Sequence, residues 1–241
     1  MYFIREGDID LWRVDLDLLE HTPASLRARL SPEELIHASS FRHDRDKGRF
    51  LTHKSALREI LGGYLGLEPE DVRFVRDRWG KPNVANPDTD ALEFNTSHSG
   101  GISLIVVRRG GKVGVDIEKV IPDFPWREVA PKALNESEIR ALELLPAEQK
   151  SDAFYAIWTR KEALAKAVGL GLRLDLPALQ VPTDARLTDW SLSRARLQHG
   201  EVDCALVDLE CCVGFRAALA LVGSTAEAGN LICRAFAQVR Y

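Results

Sequence analysis

Apolar residues recur at three- and four-residue intervals in two long stretches of the chain. Between about residues 46 and 64, Phe50, Leu51, Leu57, Ile60 and Leu61 trace one helical face, with Gly62-Gly63 near its end. From 154 to 172, Phe154, Ile157, Trp158, Leu164, Ala165 and Val168 trace a second, and Gly169 supplies a residue able to turn left-handed and close the last turn. Ser31-Pro32-Glu33-Glu34 has the form of a capping box with proline at the first helical position, so a shorter helix starts there. Asn135-Glu136-Ser137-Glu138 precedes another apolar run; Glu138 is either the third residue of a capping box or a catalytic acid. Strand-like alternation marks residues 9–16, 72–75, 102–107 and 113–117, then 179–181, 187–192, 202–209 and 212–222. Arg108-Arg109-Gly110-Gly111-Lys112 joins two of these runs in what reads as a hairpin. Each half of the chain runs helices first and strands later, without a fixed-period repeat.

Length and composition narrow the class. The 241 residues suffice for one large domain or two small ones, and 45% hydrophobic with 28% charged residues is ordinary for a globular protein. A net charge of −4 argues against nonspecific nucleic-acid binding, which needs a basic footprint. No apolar run approaches the roughly 20 residues of a membrane span, so no membrane association is expected. The first residues show no basic region followed by an apolar core, so no secretory signal is expected. Four cysteines lie late in the chain without metal-type spacing, which fits free thiols in a reducing cytoplasm.

Candidate chemistry concentrates in three places. In Lys112-Val113-Gly114-Val115-Asp116-Ile117-Glu118-Lys119, strand alternation sends Val113, Val115 and Ile117 to one side and Asp116 and Glu118 to the other. Two carboxylates so close either lie in open solvent or share a cation, and a hard divalent ion such as magnesium suits oxygen ligands. Trp158, Glu162 and Lys166, four apart, climb one edge of the second long helix. Glu162 and Lys166 form either a surface ion pair or the third carboxylate and a phosphate-binding ammonium of the same site. Phe94-Asn95-Thr96-Ser97-His98-Ser99-Gly100-Gly101 gathers hydroxyls, an imidazole and glycine-freed amides, a set suited either to an anion such as phosphate or to a hydrogen-bonded turn. Arg42, Arg45, Lys47, Arg49 and Lys54 open the first long helix as a basic face.

Together these stretches resemble the 4′-phosphopantetheinyl transferases, in the longer, monomeric Sfp-type branch. The resemblance rests on Phe94-Asn95-Thr96-Ser97-His98-Ser99, Gly114-Val115-Asp116-Ile117-Glu118 and Trp158-Thr159-Arg160-Lys161-Glu162-Ala163, followed by Lys166 and Gly169-Leu170-Gly171-Leu172, with Gly80-Lys81-Pro82 upstream. It spans about residues 40 to 175. The fold it implies is α+β, a pseudo-twofold pair of similar α/β subdomains with the active site in the cleft between them. An N-terminal subdomain, residues 1–112, would contact the nucleotide of coenzyme A, and a C-terminal one, 113–241, would carry the metal site and catalytic helix. The reaction implied is Mg²⁺-dependent transfer of the phosphopantetheine arm of coenzyme A to a serine of an apo acyl or peptidyl carrier protein, releasing adenosine 3′,5′-bisphosphate. Asp116, Glu118 and Glu162 would hold magnesium, or manganese in its stead. Lys166 would meet the diphosphate, and Glu162, Glu138 or water would take the serine proton. Ser97 and His98 would lie on coenzyme A phosphates, Lys81, Arg45 and Arg49 beside the nucleotide, and Lys161 in support of the phosphate site. Acidic magnesium sites also serve nucleases and nucleotide hydrolases, and a non-catalytic coenzyme A binder would keep the same pocket. The presence of all three carboxylates and Lys166 favours transfer.

Overall fold

A computed structural model describes residues 1–17, 24–86, 92–169, 175–197, 200–223 and 229–236. The motif residues Leu170, Gly171 and Leu172 lie outside the described residues. Two four-stranded sheets organise the chain. The first comprises β1 (Ile9–Asp15), β4 (Leu92–Ser99), β5 (Ile102–Arg109) and β10 (Leu231–Ala235), in the order β10-β1-β5-β4. The second comprises β6 (Lys112–Lys119), β7 (Ser191–Leu197), β8 (Gly200–Asp208) and β9 (Phe215–Val222), in the order β6-β9-β8-β7. A short ribbon, β2 (Phe74–Arg76) with β3 (Pro82–Val84), stands apart.

One long helix covers each sheet. α1 (Ala24–Ala28) and α2 (Pro32–Ser39) precede α3 (Asp44–Leu65), which buries Leu57, Ile60 and Leu61 against Trp12, Phe94 and Ile105 of the first sheet. α4 (Trp126–Ala133) and α5 (Glu136–Glu143) precede α6 (Ala147–Val168), which buries Phe154, Leu164 and Val168 against Leu206, Ala218 and Ala220 of the second. α3 and α6 are each 22 residues long and each ends on a left-handed glycine, Gly66 at φ 68° and Gly169 at φ 79°. The inner faces of the sheets meet in a third core, where Leu11, Leu104 and Val106 pack with Val113, Val115, Ile117 and Leu219. In both halves a first strand, then helices, then the strands that extend its sheet follow one another, so β1-β5-β4 repeats as β6-β9-β8. That repetition makes the molecule an α+β pair of sheet-and-helix subdomains.

Several expectations need correction. Residues 102–109 and 112–119 are strands, but they belong to different sheets and form no hairpin ladder. Gly110 and Gly111, at φ 73° and 102°, carry the chain from one sheet to the other. Residues 179–181 are not a strand; Leu176–Ala178 form a single 3₁₀ turn, and the strand expected over 187–192 begins only at Ser191. The tail returns to the N-terminal half, where β10 pairs parallel to β1.

Candidate active site

β4 and β6 are the neighbouring edges of the two sheets. No backbone ladder joins them among the described residues; side chains do so instead. Asn95 Oδ1 accepts the Val115 amide at 3.2 Å, the Ser97 hydroxyl donates to Asp116 Oδ1 at 2.7 Å, and the Ser99 hydroxyl donates to Glu118 Oε2 at 2.7 Å. Ser99 Oγ also accepts the Lys119 amide at 3.1 Å. The two acids of β6 therefore stand on the seam between the subdomains, opposite two serines of β4.

α6 brings the remaining groups. Gly114 lies against it so closely that a Cβ there would overlap the Ala163 carbonyl oxygen and Ala167 amide nitrogen. Held on β6 at this point, the helix aims Trp158, Glu162 and Lys166 into a cleft of about 1110 Å³ that Asp116, Glu118 and His98 also line. The Lys166 ammonium sits 2.7 Å from Asp116 Oδ1 and 3.2 Å from the Val115 carbonyl. Asp116 Oδ2 is buried and has no hydrogen-bond partner among the described residues. Burial, then the charge of Asp116, holds the Glu162 carboxyl above the usual carboxylate range, with Lys166 opposing. Burial likewise raises Glu118, partly offset by the Ser99 hydroxyl. Among the described residues no three acidic, histidine or cysteine side chains are already closed about one point as a metal cage.

The cleft has two extensions. An apolar one of about 400 Å³, walled by Trp79, Pro82, Phe94 and Leu176, opens beside Glu162 and Lys166 and is edged by Lys81. Lys81 pairs with Glu93 at 3.3 Å. The other, of about 220 Å³, lies among Phe41, Arg49, Phe50, His53, His98 and Gly101. Burial lowers the pKa of His98, with Lys166, Lys54 and Arg49 adding to the effect. Its neighbour His53, 5.6 Å away ring to ring, is pushed by burial to about 3 and shares a 2.9 Å hydrogen bond with Ser103.

Some residues stand apart from their expected roles. Lys161 is on the far side of α6, 1% exposed, with its ammonium 2.7 Å from Glu138 and donating to the Leu176 and Leu179 carbonyls. Held there by Glu138 and two carbonyls, it lines none of the cavities described above. Glu138 caps α5 through Asn135 and lines none of these cavities, so it is no candidate base. Arg45 and Arg49 both bind Asp17, Arg49 through Nε at 2.7 Å and Nη2 at 2.5 Å, Arg45 through Nη2 at 3.0 Å. Asp17, and the pairing of Ser99 with Glu118, escaped the sequence reading because neither contact follows from spacing along the chain. Lys54 was legible only as one of a basic run; it lines the main cleft, makes no ion pair among the described residues, and burial lowers its pKa.

Comparison with known proteins decides the family. Residues 112–210 match the 4′-phosphopantetheinyl transferase superfamily, and residues 20–109 match the 4′-phosphopantetheinyl transferase N-terminal family. The 4′-phosphopantetheinyl transferase HetI of Nostoc sp. is 37% identical over 166 residues, 68% of this chain and 70% of HetI. The chain belongs to the 4′-phosphopantetheinyl transferase family. Sfp of Bacillus subtilis is 32% identical over 152 residues, 63% of this chain and 66% of Sfp, which supports the Sfp-type branch. The Bacillus subtilis transferase ffp is 28% identical over 206 residues, 86% of this chain and 88% of ffp. As a 4′-phosphopantetheinyl transferase, the protein moves the phosphopantetheine arm of coenzyme A to a carrier protein. Among the described residues no helix is long and apolar enough to cross a membrane.

Proposed function

We propose that the transferase works at the seam between β4, β6 and α6, with the diphosphate of coenzyme A lying beside Asp116, Glu118, Glu162 and Lys166. The observation that carries this reading is the buried, partnerless Asp116 Oδ2 beside the Lys166 ammonium. A buried carboxylate oxygen without a donor is costly unless a ligand completes it. Glu118 and Glu162 point to the same conclusion, because burial and their negative neighbours raise both. Such a donor set fits a hard divalent cation better than a softer metal. Bound by Asp116, Glu118 and Glu162, magnesium, or manganese with the same oxygen preference, would neutralise charge on the diphosphate and the departing nucleotide.

The chain's own groups account for the rest. Lys166, released from Asp116, offers its ammonium to a diphosphate oxygen and to the charge that builds on the leaving group. The carrier serine oxygen forms a bond to the phosphorus bearing the pantetheine arm as the bond to adenosine 3′,5′-bisphosphate breaks. Glu162, on the cleft wall, receives the serine proton. On the cleft wall the Lys54 ammonium and a ring N–H of His98 stand ready to donate to the remaining phosphate, and Lys81 meets the nucleotide. Ser97 has one hydroxyl proton, already given to Asp116, so it meets a phosphate only by leaving that carboxylate. Arg49, with Nε and Nη2 on Asp17, has Nη1 left for a phosphate oxygen; Arg45 reaches one by leaving Asp17. The enzyme acts as a cytoplasmic monomer on acyl or peptidyl carrier proteins, with no nucleic acid or membrane partner.

The test is direct. Incubation with coenzyme A, magnesium and an apo carrier protein should add the mass of one phosphopantetheine arm, and chelation should stop it. Asp116→Ala and Glu162→Ala should remain folded and lose the activity; near-normal turnover in either would remove this reading of the site.

A further inference from the structure

The two acids of β6 are held by an unusual device. Neighbouring strands in a sheet normally fix one another through backbone hydrogen bonds. At the seam between the subdomains, alternate residues of β4, Asn95, Ser97 and Ser99, instead reach across to β6 with side chains. Alternation in a strand puts all three on one side, facing β6. Ser99 is the more constrained hydroxyl. Its proton goes to Glu118 Oε2 at 2.7 Å, and its oxygen accepts the Lys119 amide at 3.1 Å. With both roles in use, the hydroxyl cannot rotate without losing a bond, and it ties down one Glu118 oxygen while leaving Oε1 without such a tether. Ser97 repeats the device two residues earlier, on Asp116 Oδ1, and leaves Oδ2 bare.

Resting on the function proposed above, we infer that Ser99 is a positioning residue that fixes the Glu118 carboxylate so that its second oxygen is left for a divalent cation. The Ser99 hydroxyl does not serve as a donor to coenzyme A, because its single proton is committed to Glu118 and its oxygen to the Lys119 amide. Partners of this kind, bonded to a metal ligand but not to the metal, set ligand orientation before the ion arrives.

The experiment compares the wild type with Ser99→Ala and Ser99→Thr, using Mn²⁺ titrated into protein with coenzyme A and followed by electron paramagnetic resonance of the free ion. Ser99→Ala should weaken Mn²⁺ binding by about tenfold to a hundredfold. At saturating metal its KM for coenzyme A should be unchanged, and Ser99→Thr, which keeps a hydroxyl, should recover most of the lost metal affinity. Ser99→Ala that binds Mn²⁺ like the wild type would overturn the assignment. So would a raised KM for coenzyme A with metal affinity intact, since the hydroxyl would then be a cofactor contact. Ser99→Thr covers the case in which Ser99→Ala does not fold, because a folded threonine variant with weakened Mn²⁺ binding also contradicts the role. A wild type that transfers the arm but binds no Mn²⁺ or Mg²⁺ would sink the metal reading itself, and that result is distinct from a failure of Ser99 alone.

Discussion

Gly114→Ala tests the arrangement at its tightest point. A Cβ at this position would overlap the backbone of Ala163 and Ala167 and lie 3.0 Å from Ala167 Cα. Those residues directly follow Glu162 and Lys166, so the clash falls on the part of α6 that carries the site. Non-bonded carbon contacts relax at ~3.5–4.0 Å, and backbone atoms cannot swing aside, so the helix must withdraw from β6 by roughly 1 Å. Overpacking of this kind costs ~1–3 kcal/mol. For a chain of this length that is a fall in Tm of roughly 2–12 °C, at ~2–4 °C per kcal/mol. The loss of activity should be larger in proportion, since a displacement of ~1 Å in the reacting geometry can cost ~10²-fold. Thermal denaturation followed by circular dichroism, alongside carrier modification followed by mass spectrometry, measures both. An alanine variant with unchanged Tm and near-normal turnover would refute the claim that α6 is held in register by its contact with Gly114.

Four further outcomes separate structural from chemical roles. Lys161→Met should be strongly destabilising, by ~3–5 kcal/mol, because it leaves Glu138 buried without its cation, while the folded fraction keeps its turnover. Lys166→Met should reverse the balance in the same two assays, with a smaller fall in Tm, because its side chain is 28% exposed, and a loss of ~10²–10³-fold in kcat. Glu118→Gln should stabilise the metal-free protein at pH 7 to 8. The folded-state pKa of Glu118 lies above its ordinary 4.5, so the folded protein holds that proton more tightly. Ionisation thus opposes folding, and stability falls as pH rises from about 4.5 through the raised value. Differential scanning fluorimetry in chelator should show the gain at neutral pH disappearing toward pH 4.5; a gain that persists there would have another cause. Finally, saturating magnesium should raise the Tm of the wild type, by linkage worth ~2.7 kcal/mol at a hundred times Kd, and leave Asp116→Asn unmoved.

Much was readable from the linear chain because the relevant physics is local. The apolar spacing of α3 and α6, the capping boxes at Ser31 and Asn135, and the left-handed end at Gly169 depend on neighbours within a turn or two. Alternation along residues 112–119 was enough to send Asp116 and Glu118 away from Val113, Val115 and Ile117, and the spacing of Glu162 and Lys166 put them on one helix edge. What the linear order left undecided is which side chains meet across long separations. Two adjacent strands with glycines between them look like a hairpin in any sequence, yet here they join different sheets. Lys161 and Lys166 are the same residue type on one helix, but five residues turn a helix far enough to bury one against Glu138 and open the other to Asp116. The serine–carboxylate pairs of the seam and the Asp17 clamp on Arg45 and Arg49 bridge 19 to 32 residues of chain. Packing of the two subdomains, not local preference, selects such contacts, because their energy exists only once both strands are already in place.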